Sequence, residues 1–494
     1  MSGLFGGSGG TAVPSGDSGQ AVAGVNSVGW QAGEQMECAA REITGGRYVR
    51  LLSFVVQAIL LLAVEPLLAQ VRLSDDRPSL DVAALEAAGL KVYRSRHLVL
   101  VSDAPTEQCQ ELPALVDRFY PALQQTLGPL SPAADGAEFQ VTGYLMDARE
   151  RFQQAGVLPD GEFVIRHGRH LGYQFWMNNQ PSDYYRRHLL LHEVVHCYLM
   201  CEHGMRDIPP LWYTEGVAEM LATHRLQPLQ FGILPDQLTG FEGWGRIAEL
   251  RRRPVEAGGG VAEGVLLDDV LNPASRIFLS DLRYAQGWGL VWLLRNHPEL
   301  QRPFAGLFRV RTRAQFDAAT AGISREQLQR LGVVWQLMLD SWEEGFDPER
   351  SFPPLAPEWR LWSEDSARPQ QVQVRSEQGW QPSGYWFDVE TRIRLSAGGR
   401  SVLQPAGENG ARAWESEPAG ITIDYAQGRP LGELQAVLVQ RKPSVLPERI
   451  SVGAGSELRV SAGSELWLRI NDFEGQRRGN SGAYQVRLQS VSDR

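Results

Sequence analysis

Apolar and polar positions fall into three regimes along this chain. Residues 1–35 are rich in Gly, Ser and Ala and poor in large apolar side chains, which predicts a disordered N-terminus over 1–50. From about 85 to 350, short β-branched runs alternate with helical periodicity. Strands are expected within Lys91–Val101, Ala137–Met146 and Phe175–Asn178. Helices are expected over Glu111–Leu127, Arg187–Met200, Pro209–Met220, Gly287–Leu294 and Arg325–Trp342. Between Ser351 and Gln371, Pro353, Pro354, Pro357 and Pro369 mark a linker. Residues 372–494 then follow period-two alternation between Gly/Ser/Asn turns, as in Tyr385–Leu395 and Glu465–Ile470, the pattern of a β-sandwich. The class is therefore α+β over 85–350, with an all-β domain after it.

One helix carries candidate chemistry. Arg187–Met200 contains His192-Glu193-Val194-Val195-His196, flanked by leucines and valines that bury it. With nine histidines in 494 residues, composition alone yields His-Glu-x-x-His in about one such chain in a hundred. Residues four apart share a helix face, so both imidazoles reach one ion. Glu193 points about 100° around the helix, where it holds a water without occupying a ligand position. Catalytic zinc keeps three protein ligands and one open position. Six residues beyond His196 stands Glu202 rather than a third histidine, Leu199 replaces a glycine, and His203 is out of register. Instead, eighteen residues separate His196 from Glu215 on the following helix, and Glu219 comes one turn later. Packing of the two helices would bring Glu215 to the metal as third ligand. Glu219, on the same face, would accept a ring N–H of a ligand histidine and fix its tautomer.

These residues resemble the gluzincin pattern of zinc peptidases and the related peptidase MA-like domains: His192-Glu-Val-Val-His196, an eighteen-residue gap, then Glu215 within Trp212-Tyr-Thr-Glu-Gly-Val-Ala-Glu219. The likeness spans roughly 90–350 and implies a zincin-like fold, a small sheet backed by the motif helix. Arg283-Tyr-Ala-Gln-Gly-Trp-Gly-Leu290 is similar to the Tyr-x-x-Gly segment of that family. The resemblance implies that Tyr284 donates to the oxyanion. Aminopeptidase members carry a Gly-x-Met-Glu-Asn strand upstream, whereas Tyr173–Asn179 holds no glutamate; endopeptidase action is favoured. In the implied reaction zinc acidifies its water, Glu193 takes the proton and passes it to the leaving amine, and zinc with Tyr284 stabilises the oxyanion.

The other polar residues divide less sharply. His188 reads as solvent-facing, His167 and His170 as a polar loop, and His224 and Arg225 as either substrate contacts or a helix cap. Cys197 and Cys201 read as buried packing, Cys38 lies upstream of an apolar segment, Cys109 shows no evident partner, and four cysteines are too few for a disulfide scaffold. The net charge of −10, without a basic run, argues against nucleic acid as a partner.

Two further readings concern the ends of the chain. Arg41, Arg47 and Arg50 precede the fourteen-residue apolar stretch Leu51–Val64, closed by Glu65-Pro66, with Leu67-Leu-Ala69 as a cleavage site. A spanning helix needs about 20 residues, so 51–69 reads as a signal peptide of a secreted or periplasmic protein, or else as a retained anchor. At the other end, Ile470–Val486 resembles the calcium-dependent galactophilic lectins, in which Asp472 and Asn480 would bind calcium; Gln476 and Gly479 depart from that family's pattern. A plain sandwich without calcium is the alternative. Two functions follow: an exported zinc endopeptidase acting on peptides or proteins, with a sandwich that binds glycan or a cell surface, or a non-catalytic zinc-binding or adhesion protein on the same scaffold.

Overall fold

The computed structural model describes Arg72, Asp75 and residues 77–491 apart from 160–164, 205–206, 234–244, 252–265, 273–279, 340, 344, 364–368, 404–412 and 442–446. The expected disordered N-terminus, signal segment and Cys38 lie outside the described residues.

The first part of the chain is built on a mixed sheet. Strands β1 (Lys91–Arg94), β2 (Leu98–Ser102), β3 (Val141–Met146), β4 (Gly168–Leu171) and β5 (Gln174–Asn178) lie in the order β1-β2-β3-β5-β4. Pairs β2/β3 and β3/β5 are parallel, whereas β1/β2 and β4/β5 are antiparallel. Every residue of β2 and β3 is buried, as expected for parallel strands covered on both faces. Alternation divides their side chains: Leu98, Leu100, Val141, Leu145, Phe175 and Met177 join the main core. Val101, Tyr144, Met146 and Trp176 join a smaller cluster with Leu85 and Phe152 on the other side.

Helices cover the main-core face. Helix α1 (Leu112–Leu127) and α2 (Asp183–Met200) pack together, and α3 (Leu211–Ala222) lies on α2. Ser182 caps α2 by accepting from the Tyr185 N–H, with Asp183 in the first turn. Each fully buried leucine or valine of α2, such as Leu190, Leu191, Val194 and Val195, contributes about 1.5–3 kcal/mol. Helix α4 (Arg246–Arg251) and α5 (Asp281–Asn296) complete the wall around α3, and α6 (Arg325–Leu339) closes the core with Trp335. Among the described residues no helix is long and apolar enough to cross a membrane.

The C-terminal part consists of two packed antiparallel-rich sheets. One orders Arg449–Ser451, Leu434–Gln440, Ser464–Ile470, Gln381–Phe387 and Arg360–Leu361; in the other, Thr391–Leu403 carries Trp414–Ser416 and Gly455–Val460 on one edge and pairs with Ser481–Ser490, itself paired with Gln370–Arg375. Their inner faces share the core of Ile393, Leu395, Leu466, Leu468, Tyr484 and Val486. The alternating stretch Tyr385–Leu395 belongs to two strands in different sheets. A corner at Asp388–Glu390 separates them, closed by Thr391 Oγ1 donating to Val389 O at 3.2 Å.

Nor is the proline-punctuated stretch 351–371 a simple tether. Arg360–Leu361 pairs in parallel with Tyr385–Trp386, Trp362 sits in the sandwich core, and Trp359 packs against Trp467 with ring centroids 5.5 Å apart. The aromatic anchors outweigh the prolines. Val333 and Leu337 of α6 join Trp380, Val437, Val439 and Trp467 in a shared cluster, so the two parts are joined through apolar contact.

Candidate metal centre

The motif helix supplies the site because its polar stripe has nowhere else to go. His188, His192 and His196 recur every fourth residue on α2 and are all buried, as is Glu219 on α3. Glu215 and Glu219 form the facing stripe. The two stripes run in opposite directions: His196 and His192 meet Glu215, His192 also meets Glu219, and His188 meets Glu219.

At the first crossing three donors converge. His192 Nε2 and His196 Nε2 are 3.0 Å apart, and Glu215 Oε2 lies 3.2 Å from the first and 3.1 Å from the second. Ligand atoms about 2.0–2.2 Å from a tetrahedral zinc are about 3.3 Å from one another, so the spacing suits one ion. Two imidazole lone pairs aimed at each other beside a carboxylate also require a proton or a cation between them. Burial works against a charge on His192, yet Glu215 and Glu219 push its ring up to about 10. Burial holds the His196 ring below its usual range, against the pull of Glu215. Burial would raise Glu215, but His196 and His192 hold its carboxyl well below the usual carboxylate range.

Glu219 occupies the expected supporting position, with Oε1 3.3 Å from His192 Nδ1. Its oxygens are also engaged by Arg246 Nε and Nη2, at 2.7 Å each. Although burial opposes it, Arg246 followed by His188 keeps this carboxyl well below its ordinary range. The trio His188, His192 and Glu219 also has donor atoms close enough for a metal, but a cation there would face the Arg246 guanidinium. The crossing at Glu215 is therefore the better cation site.

His188 departs from the expectation of a solvent-facing residue: it is buried, with Nε2 3.0 Å from Glu219 Oε2. It continues the metal face by one turn and meets the next acid along α3. His224 resolves as a structural residue, Nδ1 lying 2.9 Å from Ala222 O at the end of α3 and Nε2 accepting from Arg187 at 3.1 Å. Cys109, Cys197 and Cys201 are free and buried, with burial pushing the Cys201 thiol up to about 12.

Tyr284 enters from α5, its ring centroid 6.1 Å from that of His192 and beneath the Arg246 guanidinium carbon at 5.4 Å. Burial, then Glu215, Glu219 and Glu193, push its phenol well above the usual range. It is thus an O–H donor at physiological pH.

Glu193, on the turn between the two histidines, lies against the sheet edge. The expected polar loop at His167–His170 contains edge strand β4, whose alternation faces Gly168 and His170 toward α2. His170 Nδ1 lies 3.1 Å from Glu193 Oε2, and the His170 ring stacks on His196 with centroids 4.2 Å apart. Both strands lie along the motif helix: Tyr173–Asn179 contains the inner strand β5, whose Gln174 O lies 3.7 Å from Cys197 Sγ, and Gly168–Leu171 is the sheet edge. Arg246 and His170 are the site residues that motif reading misses. For His170 the available signal was its place just before an apolar strand; for Arg246 there was none.

The lectin-like positions lie elsewhere. Asp472 and Asn480 are brought together, but as a buried hydrogen-bonded pair: Asn480 Nδ2 donates to Asp472 Oδ2 at 2.6 Å, and Phe473 N donates to Oδ1 at 2.7 Å. Burial raises the Asp472 carboxyl. Beside it Glu474 is sandwiched between Arg469 and Arg477, all fully buried.

No family model matches this chain, and no curated protein matches it. Among solved structures, the PllA-like lectin forming the N-terminal domain of EclA is 21% identical, covering 24% of this chain and 95% of that one at a TM-score of 0.19. The periplasmic g-type lysozyme inhibitor PliG of Aeromonas hydrophila is 8% identical, covering 29% and 96% at a TM-score of 0.14. Overlaps this slight bear on neither fold nor function.

Proposed function

We propose that this chain is a zinc-dependent metallopeptidase of gluzincin type, acting as an endopeptidase on extended peptide. The observation that carries the reading is the convergence of His192, His196 and Glu215 within 3.0–3.2 Å of one another. Zinc bound there would supply a Lewis acid for the scissile carbonyl and its water. Glu193 would take the proton of the attacking water and return it to the leaving amine. The Tyr284 hydroxyl, kept protonated by its surroundings, would donate to the carbonyl oxygen as charge builds there. Glu219, fixed by Arg246, would hold His192 in the tautomer that leaves Nε2 free for the ion. The sandwich is proposed as an accessory domain for glycan or cell-surface attachment, and residues 51–69 as an export signal or retained anchor.

Purified protein is expected to contain about one zinc per chain and to cleave fluorescein-labelled casein. A chelator should abolish cleavage, and Glu193→Gln should lower kcat about 100–10,000-fold while zinc is retained. Zinc without cleavage in the wild type would favour the non-catalytic reading; absence of zinc would refute both.

A further inference from the structure

Edge strand β4 touches the motif helix at two places, and both touch functional side chains. A Cβ at Gly168 would collide with the Glu193 carboxylate, so this position must lack a side chain for Glu193 to lie where it does. Two residues on, His170 reaches the same carboxylate with Nδ1 at 3.1 Å from Oε2, and its ring covers His196 at 4.2 Å. The His170 side chain is only 15% exposed, held between the Glu193 carboxylate and the His196 ring. A glutamate has three side-chain torsions, and a base that must meet one water needs them fixed.

We propose that His170 is a positioning residue: by donating from Nδ1 to Glu193 Oε2 it aims the carboxylate that accepts the water proton, with Gly168 providing the space. The inference rests on the peptidase reading given above. It extends the site from two helices to a third element, the edge strand.

The test compares His170→Ala, His170→Asn and Gly168→Ala with wild type, in zinc-loaded and cobalt-substituted protein. Asparagine carries an N–H donor at the δ position, where histidine carries Nδ1. With casein as substrate, His170→Ala should lower kcat about 10–100-fold, leave KM within about twofold, and keep full zinc content. The visible cobalt bands, which report the ligands at His192, His196 and Glu215, should be unchanged. His170→Asn should recover most of kcat. Should His170→Ala fail to fold, Gly168→Ala reads the same contact from the other side, since its methyl displaces Glu193 and should lower kcat similarly. Unchanged kcat in these variants, altered cobalt bands, or an asparagine variant as slow as alanine would each overturn the proposal while wild-type turnover left the peptidase reading standing. A wild type with zinc and no turnover would overturn both.

Discussion

Gly216 of α3 lies against Gly287 of α5 so closely that a methyl on either would meet the other helix's backbone; one at Gly287 would be 2.9 Å from Trp212 O. The glycine of the Tyr-x-x-Gly segment thereby acquires a physical reason. It lets α5 approach until Tyr284, nearly one turn earlier, reaches the ring of His192 while Glu215, the neighbour of Gly216, reaches both histidines.

Gly287→Ala should force these helices apart. Overpacking of this kind costs about 1–3 kcal/mol, to be read as a lowered urea midpoint. Activity should fall further than stability accounts for, because Tyr284 and Glu215 move together. A fully active, equally stable variant would refute this account of the glycine.

Tyr284→Phe removes one hydroxyl and leaves the ring packing on His192. If that hydroxyl donates to the developing oxyanion, kcat should drop about 100–1,000-fold with KM and zinc content unchanged. A rise in KM alone would assign Tyr284 to substrate binding instead.

Zinc uptake should release protons. The His192 ring, held up to about 10 between Glu215 and Glu219, carries a proton at neutral pH in the metal-free protein. Because this folded value lies above the unfolded value of about 6.5, its contribution to stability is complete below about pH 6.5 and is lost as pH climbs through about 10. The ion needs the lone pair that this proton occupies, so zinc affinity should rise about tenfold per pH unit over the same interval. Calorimetry at pH 7.5 in buffers of different ionisation enthalpy should find about one proton released per zinc. No release would show that His192 is already neutral.

In the sandwich, Asp472 spends both oxygens on Asn480 and Phe473 N. Millimolar calcium is therefore expected to leave the melting temperature unchanged. Glu474→Gln should instead cost about 3–5 kcal/mol by leaving Arg469 and Arg477 buried without their counter-charge. A calcium-dependent rise in Tm would restore the lectin-like metal reading.

Much of the site was legible because it is local. His192, Glu193 and His196 declare one helix face, and Glu215 with Glu219 declare a second four-residue repeat, so their meeting requires only that the two helices pack. His188 reads as surface for want of that partner: a third histidine on the stripe looks solvent-facing until Glu219 is placed opposite it. Arg246 and His170 reach the site from a separate helix and from the sheet edge, where tertiary approach rather than spacing decides what meets. Similarly, Trp359 and Trp362 lie among prolines that suggest a tether, although Trp362 is buried in the sandwich and Trp359 packs on Trp467.

The same anchors bear on how the chain behaves when cut. Trp359 packs on Trp467, Arg330 of α6 pairs with the wholly buried Glu465, and Glu343 accepts from the Glu474 N–H. A single nick near residue 356 would leave two pieces still docked, eluting as one particle and tumbling with one correlation time.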